Sequence, residues 1–206
     1  MVSAFLNLLL TDDIMNKRSS LLFLGLIFYI TSFAQDTWKI DNAHSNINFE
    51  VGWEDFSIRT GEFKIFEGDI LTNSGTDLTK ATYNLKVDPK SIDVIAPNLS
   101  DQLKSDQFLD ADKFPEITFN SVGAKEISDS TFVTTGNLKI HGIEKKQDVL
   151  IKFEGEKQGR RSYLMGLKVS LQFNRNDFGL TWGAPRLGET VKVVGYLLYN
   201  KRIEDQ

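Results

Sequence analysis

The chain has 206 residues, 41% of them hydrophobic, with a formal net charge of −4 and no cysteine. This composition excludes a thiolate zinc centre and a disulfide framework, and its mild acidity does not suggest a nucleic-acid partner. A chain of this length can bury a core without covalent staples.

Read from the N-terminus, the first feature is an export pattern. Lys17 and Arg18 form a basic region, residues 21–30 an apolar run, and Ser32-Phe33-Ala34 a small-x-small exit before Gln35. The apolar run is too short to span a bilayer comfortably. A cleaved secretory signal from Met15 to Ala34 is therefore expected, with an uncleaved anchor as the alternative. Residues 1–14 then read as an extension from an upstream start codon, and the expected location is periplasmic or secreted. Residues 1–34 carry two charges of each sign, so a mature domain of residues 35–206 keeps the charge of −4.

Beyond Trp38 the chain alternates apolar and polar residues. Ile47, Phe49, Val51 and Trp53 set the pattern, Ala81 to Val87 repeat it, and Tyr163 to Phe173 extend it. This period-2 pattern predicts strands at about 44–53, 61–71, 80–95, 116–125, 131–141, 147–157, 162–174 and 190–200. One short helix is expected over about Ser100–Leu109, N-capped by Ser100 and stopped before Pro115. With no helix layer to cover it, such a sheet either closes into a barrel or splits into a sandwich. The expected fold is all-β, an eight-stranded antiparallel barrel with one short helix. In up-and-down order the long links, residues 96–115 and 175–189, share one end with Phe56 and with His141 to Lys146. A cavity mouth is expected at that end.

The polar residues offer little chemistry. His44 and His141, the two histidines, fall at opposite ends of an up-and-down barrel. Asp41, His44 and Ser45 contain triad residue types, but adjacent strand residues point to opposite faces. Bonding at the strand entrance is the simpler reading of them. His44 with Asp41, or His141 with Glu144, supplies at most two metal ligands where three or four are needed. No glycine-rich phosphate loop opens a helix. No catalytic residue, metal or cofactor is therefore assigned.

The positive signal is the apolar parity. Phe49, Val51, Phe63, Ile65, Phe119, Leu138, Val169 and Phe173 are all expected to face inward. On residue type alone a solid core and a ligand cavity are equally served. The missing helix layer, the export pattern and the aromatic-bearing loops favour a cavity. Head-group candidates at the long-loop end are Arg59, His141, Arg175 and Asp177, with Trp182 as a cap. Arg175 leads, because a guanidinium can bind phosphate through two parallel hydrogen bonds; a salt bridge bracing the loop from Arg175 to Gly188 is its alternative role.

Several motifs resemble the YceI-like family. They are Trp38-Lys39-Ile40-Asp41 with His44-Ser45 and Phe49; Gly61-x-Phe63 and Phe66-x-Gly68; Ser91-Ile92-Asp93; and Leu103 to Phe119. Gly136-x-Leu138-x-Ile140-His141-Gly142 and Phe173-x-Arg175-x-Asp177-Phe178-Gly179 complete the set. Val94 to Gln102 departs most from the family pattern. The resemblance implies a lipocalin-like barrel, usually periplasmic, that holds a polyisoprenoid or another amphiphilic lipid for transport, storage or stress-related lipid and quinone metabolism. A lipid-directed enzyme using His44 or His141 as base, and a filled-core structural or partner-binding barrel, are the alternatives. Nothing in the sequence sets the oligomeric state, a homodimer included.

Overall fold

Strands with one apolar face and no helices to cover it can satisfy both that face and their edges by closing into a ring. The computed structural model describes residues 35–73 and 75–203, so the export pattern lies outside the described residues. The segments are β1 (Asp36–Ile40), β2 (Asn46–Trp53), β3 (Ser57–Phe63), β4 (Phe66–Thr72), β5 (Thr82–Val87) and β6 (Ile92–Val94). After the helix α1 (Pro97–Lys104) come β7 (Ile117–Val122), β8 (Lys125–Ser128), β9 (Thr131–Ile140), β10 (Ile143–Gln158), β11 (Ser162–Asn174) and β12 (Leu187–Arg202). They form a closed antiparallel barrel of eight staves, in which β1/β2, β3/β4 and β5/β6 are each one broken stave. Closure runs through β12, which pairs Tyr199 with Ile40 of β1 and Val191 with Val51 of β2. β8 pairs only with β9.

The breaks in the three staves are neighbours in the wall. Asp41 and Asp88 each open a one-turn 3-10 helix, their carboxylates accepting from Ala43 N (3.1 Å) and Lys90 N (2.8 Å). The break at residues 64–65 is tied to the one at residues 88–91: Lys64 N donates to Ser91 O (3.3 Å) and Asp88 N to Ile65 O (3.0 Å). Across residues 64–65 the inward parity moves from odd to even, so Phe63 faces the interior and Phe66 is buried. Ile65, expected inside, is therefore on the surface. The single strands expected at 61–71 and 80–95 are corrected in the same way.

The helix also begins earlier than expected. Pro97 takes the first helical position, where its missing N–H is no loss. Ser100 lies inside α1, not at its cap, and its buried hydroxyl accepts from Val94 N (3.0 Å), tying the helix to β6.

Cross-strand glycines make room for rings on the inner face. A Cβ built on Gly136 would lie 2.5 Å from Phe119 Cζ and 2.6 Å from Asn120 O. The neighbour is partly backbone and cannot yield cheaply. Gly136→Ala is expected to lower stability by roughly 1–3 kcal/mol, the usual range for overpacking. Gly52→Ala, where the nearest atom would be 3.9 Å away, should leave the urea midpoint near that of the parent.

Packing is uneven along the barrel axis. At the end away from α1, Trp38, Ile70, Leu78, Ala81 and Met165 are almost fully buried, and Trp38 Nε1 donates to Gly75 O (3.1 Å). That end is a solid core. The other end is hollow.

Candidate functional site: an apolar cavity

The hollow is a cavity of about 330 Å³, at the lower end of the size range for small-molecule sites. Its wall carries Phe49 and Val51 of β2, Phe63 of β3, Phe119 of β7, Leu138 of β9, and Val169 and Phe173 of β11. The sheet parity places these seven on the wall, whereas Ile65, expected to face inward with them, does not reach it. Leu99 and Leu103 of α1, with Phe108 beyond it, add a roof from outside the strands. Trp182 meets Phe108 edge-on, with centroids 6.5 Å apart.

Three polar groups of this wall are engaged with internal partners. The Tyr83 hydroxyl donates to Leu78 O (2.6 Å), and Asn84 donates to the Asp69 carboxylate (2.7 Å). The Thr134 hydroxyl bonds the Ser121 hydroxyl (2.9 Å) and the Gly123 carbonyl (2.7 Å). Burial pushes the phenols of Tyr83 and Tyr199 well above their ordinary value, with nearby negative charge adding to the shift. Both therefore stay neutral inside the fold. In the unfolded chain they ionise near pH 10, so the native state holds more protons above that pH and stability falls as pH rises through it. The expected slope is up to roughly 1.4 kcal/mol per pH unit for each phenol. Alkaline urea titrations should show it, and Tyr83→Phe with Tyr199→Phe should flatten it.

Arg175 is wholly buried, and its guanidinium is committed to the chain itself. Nε donates to Gly188 O (2.8 Å), Nη2 to Leu187 O (2.8 Å), and Nη1 to Trp182 O (2.9 Å) and Leu180 O. Four of its five N–H groups thus hold the β11–β12 link. The local sequence builds this arrangement. Asn174 caps a 3-10 turn over Arg175–Phe178, and Gly179 ends it at φ 74°, in the left-handed region that glycine enters freely. Phe178 turns inward and meets Phe173 edge-on, 5.3 Å between centroids. Desolvation lowers the Arg175 pKa from its ordinary value, while Glu189 opposes the shift. Arg175 accordingly braces the loop, through backbone carbonyls and not through the expected salt bridge.

Arg175 still borders the cavity, whereas two other head-group candidates lie away from it. Asp177 is exposed on the same turn and pairs with Lys145 (3.7 Å) rather than with Arg175. His141 and Gly142, at φ 51° and 78°, are the two-residue turn joining β9 to β10. The His141 ring packs edge-on against Phe114 (4.7 Å), with Nδ1 3.3 Å from Phe178 O. In the break between β1 and β2, His44 Nδ1 lies 2.9 Å from an Asp41 oxygen, while the Ser45 hydroxyl accepts from Leu198 N (2.9 Å). Neither histidine lines the cavity.

Arg59 and Trp182 do reach the cavity, at its rim. The exposed Arg59 guanidinium lies 5.1 Å from the Trp53 ring centroid and has no carboxylate partner among the described residues. Arg186 lies 4.7 Å from the same ring and pairs with Glu54. Trp53 was visible in the alternation of β2. Arg186 lies in a link with no periodicity, so sequence pattern could not place it beside Trp53.

The family model described as a YceI-like domain matches residues 38–197, nearly the whole barrel. The chain belongs to the YceI-like family. A UPF0312 protein of Azotobacter vinelandii is 29% identical over 142 residues, 68% of this chain and 73% of the relative. Among solved structures, BcnA of Burkholderia cenocepacia superposes with a TM-score of 0.67 at 19% identity, covering 77% of this chain and 98% of that one. A polyisoprenoid-binding domain from Saccharophagus degradans superposes with a TM-score of 0.61 at 14% identity, covering 80% and 98%. At these identities the superpositions establish the YceI-like barrel itself.

Proposed function

We propose that this YceI-like barrel binds one long-chain apolar ligand, a polyisoprenoid or a similar lipid, with the tail in the cavity and the polar end at the rim. The observation that carries the reading is a cavity whose wall is largely apolar and whose Tyr83, Thr134 and Arg175 polar groups are turned to internal partners. Tail burial supplies roughly 25 cal/mol per Å², less the cost of ordering a flexible chain. Such a wall discriminates weakly among tails, so selectivity belongs to the rim. The polyisoprenoid-binding description of the Saccharophagus degradans domain supports the ligand class. A carrier or storage role in the periplasm, reached through the export pattern of residues 1–34, fits this reading.

Arg59 takes the head-group role. It is the cation at the rim with no carboxylate partner among the described residues, and it stands over Trp53. Binding is the reading rather than chemistry, since both histidines are engaged away from the cavity. Titration with a polyprenyl phosphate and the matching polyprenol tests it, read by quenching of tryptophan emission. Both should bind saturably, and Arg59→Ala should weaken the phosphate by about tenfold while changing the alcohol little, as expected for loss of one charge-assisted contact. Failure of both ligands to saturate would overturn the lipid reading. An equal loss for both would remove Arg59 from the head-group site.

A further inference from the structure

We propose that the cavity mouth is a membrane-docking surface that seats on a phospholipid interface. The proposal rests on the lipid-binding reading above and adds the place where the ligand is exchanged.

The two most exposed large apolar side chains among the described residues lie within three residues of cavity-lining positions, and Ile95 also borders a groove on the outer wall with Thr60, Glu62 and Lys192. Phe56, in the turn from β2 to β3, is 90% exposed, and Ile95, between β6 and α1, is 95% exposed. Each is a close chain neighbour of rim residues, Trp53 and Arg59 for Phe56, Val94 and Ala96 for Ile95. Ile58, also exposed, lies between Phe56 and Arg59 on β3. The remaining exposed apolar residues are scattered along the chain, as is normal for a soluble surface. At the mouth they accompany an indole and two arginines. Aromatic rings and snorkelling cations are the side chains that settle at a bilayer interface.

Continuity with the cavity favours a bilayer over a protein partner. A long apolar tail entering through this rim leaves a lipid phase, and a rim inserted among head groups spares that tail a passage through water. Charge plays the smaller part. Glu54 pairs with Arg186, and the exposed Asp55 offsets Arg59 at the same end. Docking is thus driven by Phe56 and Ile95, with Arg59 meeting a lipid phosphate, and it should survive added salt.

The test is quenching of tryptophan emission by vesicles of bromine-labelled phosphatidylcholine and phosphatidylglycerol. Trp53 and Trp182 are at the mouth, Trp38 is 1% exposed in the solid end, and residues 1–34 contain no tryptophan. The emission therefore comes from the barrel and none of it from residues 1–34. The parent should be quenched, Trp53→Phe should lose a large part of that quenching, and Phe56→Ser with Ile95→Ser should weaken vesicle affinity by about tenfold or more. The double variant should keep the parent's urea midpoint and its uptake of polyprenol from a detergent dispersion.

An unquenched parent, or a double variant quenched like the parent, would overturn the proposal. So would vesicle binding abolished by salt, which would indicate charge attraction alone. Uptake from detergent without vesicle quenching would refute docking and leave the lipid reading standing. Vesicle quenching without uptake would do the reverse.

Discussion

Replacing Arg175 by methionine is expected to lower the stability of the barrel by about 3 kcal/mol or more. Methionine fills similar space and donates nothing, so the carbonyls of Leu180, Trp182, Leu187 and Gly188 lose their donor together. A buried acceptor left unsatisfied costs roughly 1–3 kcal/mol, and some of that is recovered as the link relaxes or water enters. Against a total stability of roughly 5–15 kcal/mol, this is a large fraction. Arg175→Lys should recover little, since an ammonium cannot reproduce a planar fork addressing several carbonyls. Urea unfolding reads the loss. Affinity for phosphorylated and neutral isoprenoids should fall together, because the link that carries Trp182 loosens for both. A stable Arg175→Met protein that rejects only the phosphorylated ligand would return Arg175 to the head-group site.

Val169→Trp is expected to abolish ligand uptake while leaving stability within about 1 kcal/mol of the parent. Val169 faces the cavity, and its side chain leans over its cross-strand partner Gly195, which makes room for it. A Cβ on Gly195 would lie 2.8 Å from Val169 Cγ2. An indole at position 169 would occupy volume that a tail needs, without displacing packed neighbours. Met165→Trp is the contrasting case. Met165 is fully buried in the solid end, where added volume has nowhere to go, and the expected loss is roughly 1–3 kcal/mol or more. Paired measurements of urea midpoint and polyprenol uptake separate the two. If Val169→Trp unfolds as readily as Met165→Trp, the hollow end is a packed core.

The barrel was legible because its signal is repeated. Alternation in β2, β9, β10 and β11 fixes which side chains face inward, and parity along a strand leaves little freedom. The breaks in the first three staves were not legible. A one-turn 3-10 helix opened by Asp41 or Asp88 leaves no period, and at residues 64–65 the chain steps from one parity to the other without a glycine or proline to mark it. β1 is short and followed by such a break, so its five residues gave no pattern of their own.

The site was legible on its walls and misleading at its rim. Phe173-x-Arg175-x-Asp177-Phe178-Gly179 offers a cation near a cavity mouth, and its residue types suit a phosphate. What sequence cannot show is that the chain returns at Leu187 and Gly188 to surround that guanidinium with carbonyls. His141-Gly142 could have been read as a turn, since a type I′ hairpin loop needs positive φ at both positions and glycine supplies one of them. The choice between core and cavity was beyond sequence for another reason. The same phenylalanines and valines serve either, and the outcome depends on barrel diameter and on how far α1 descends.

The central claim is that the hollow end of the barrel holds one apolar chain, and native mass spectrometry addresses it most directly. Parent protein and Val169→Trp would be incubated with a long polyprenol in dispersed form, then transferred intact to the gas phase. A parent shifted by the mass of a single polyprenol, beside an unshifted Val169→Trp, is the predicted result. A parent that stays at its unliganded mass, or a variant that takes up the polyprenol equally, would contradict it.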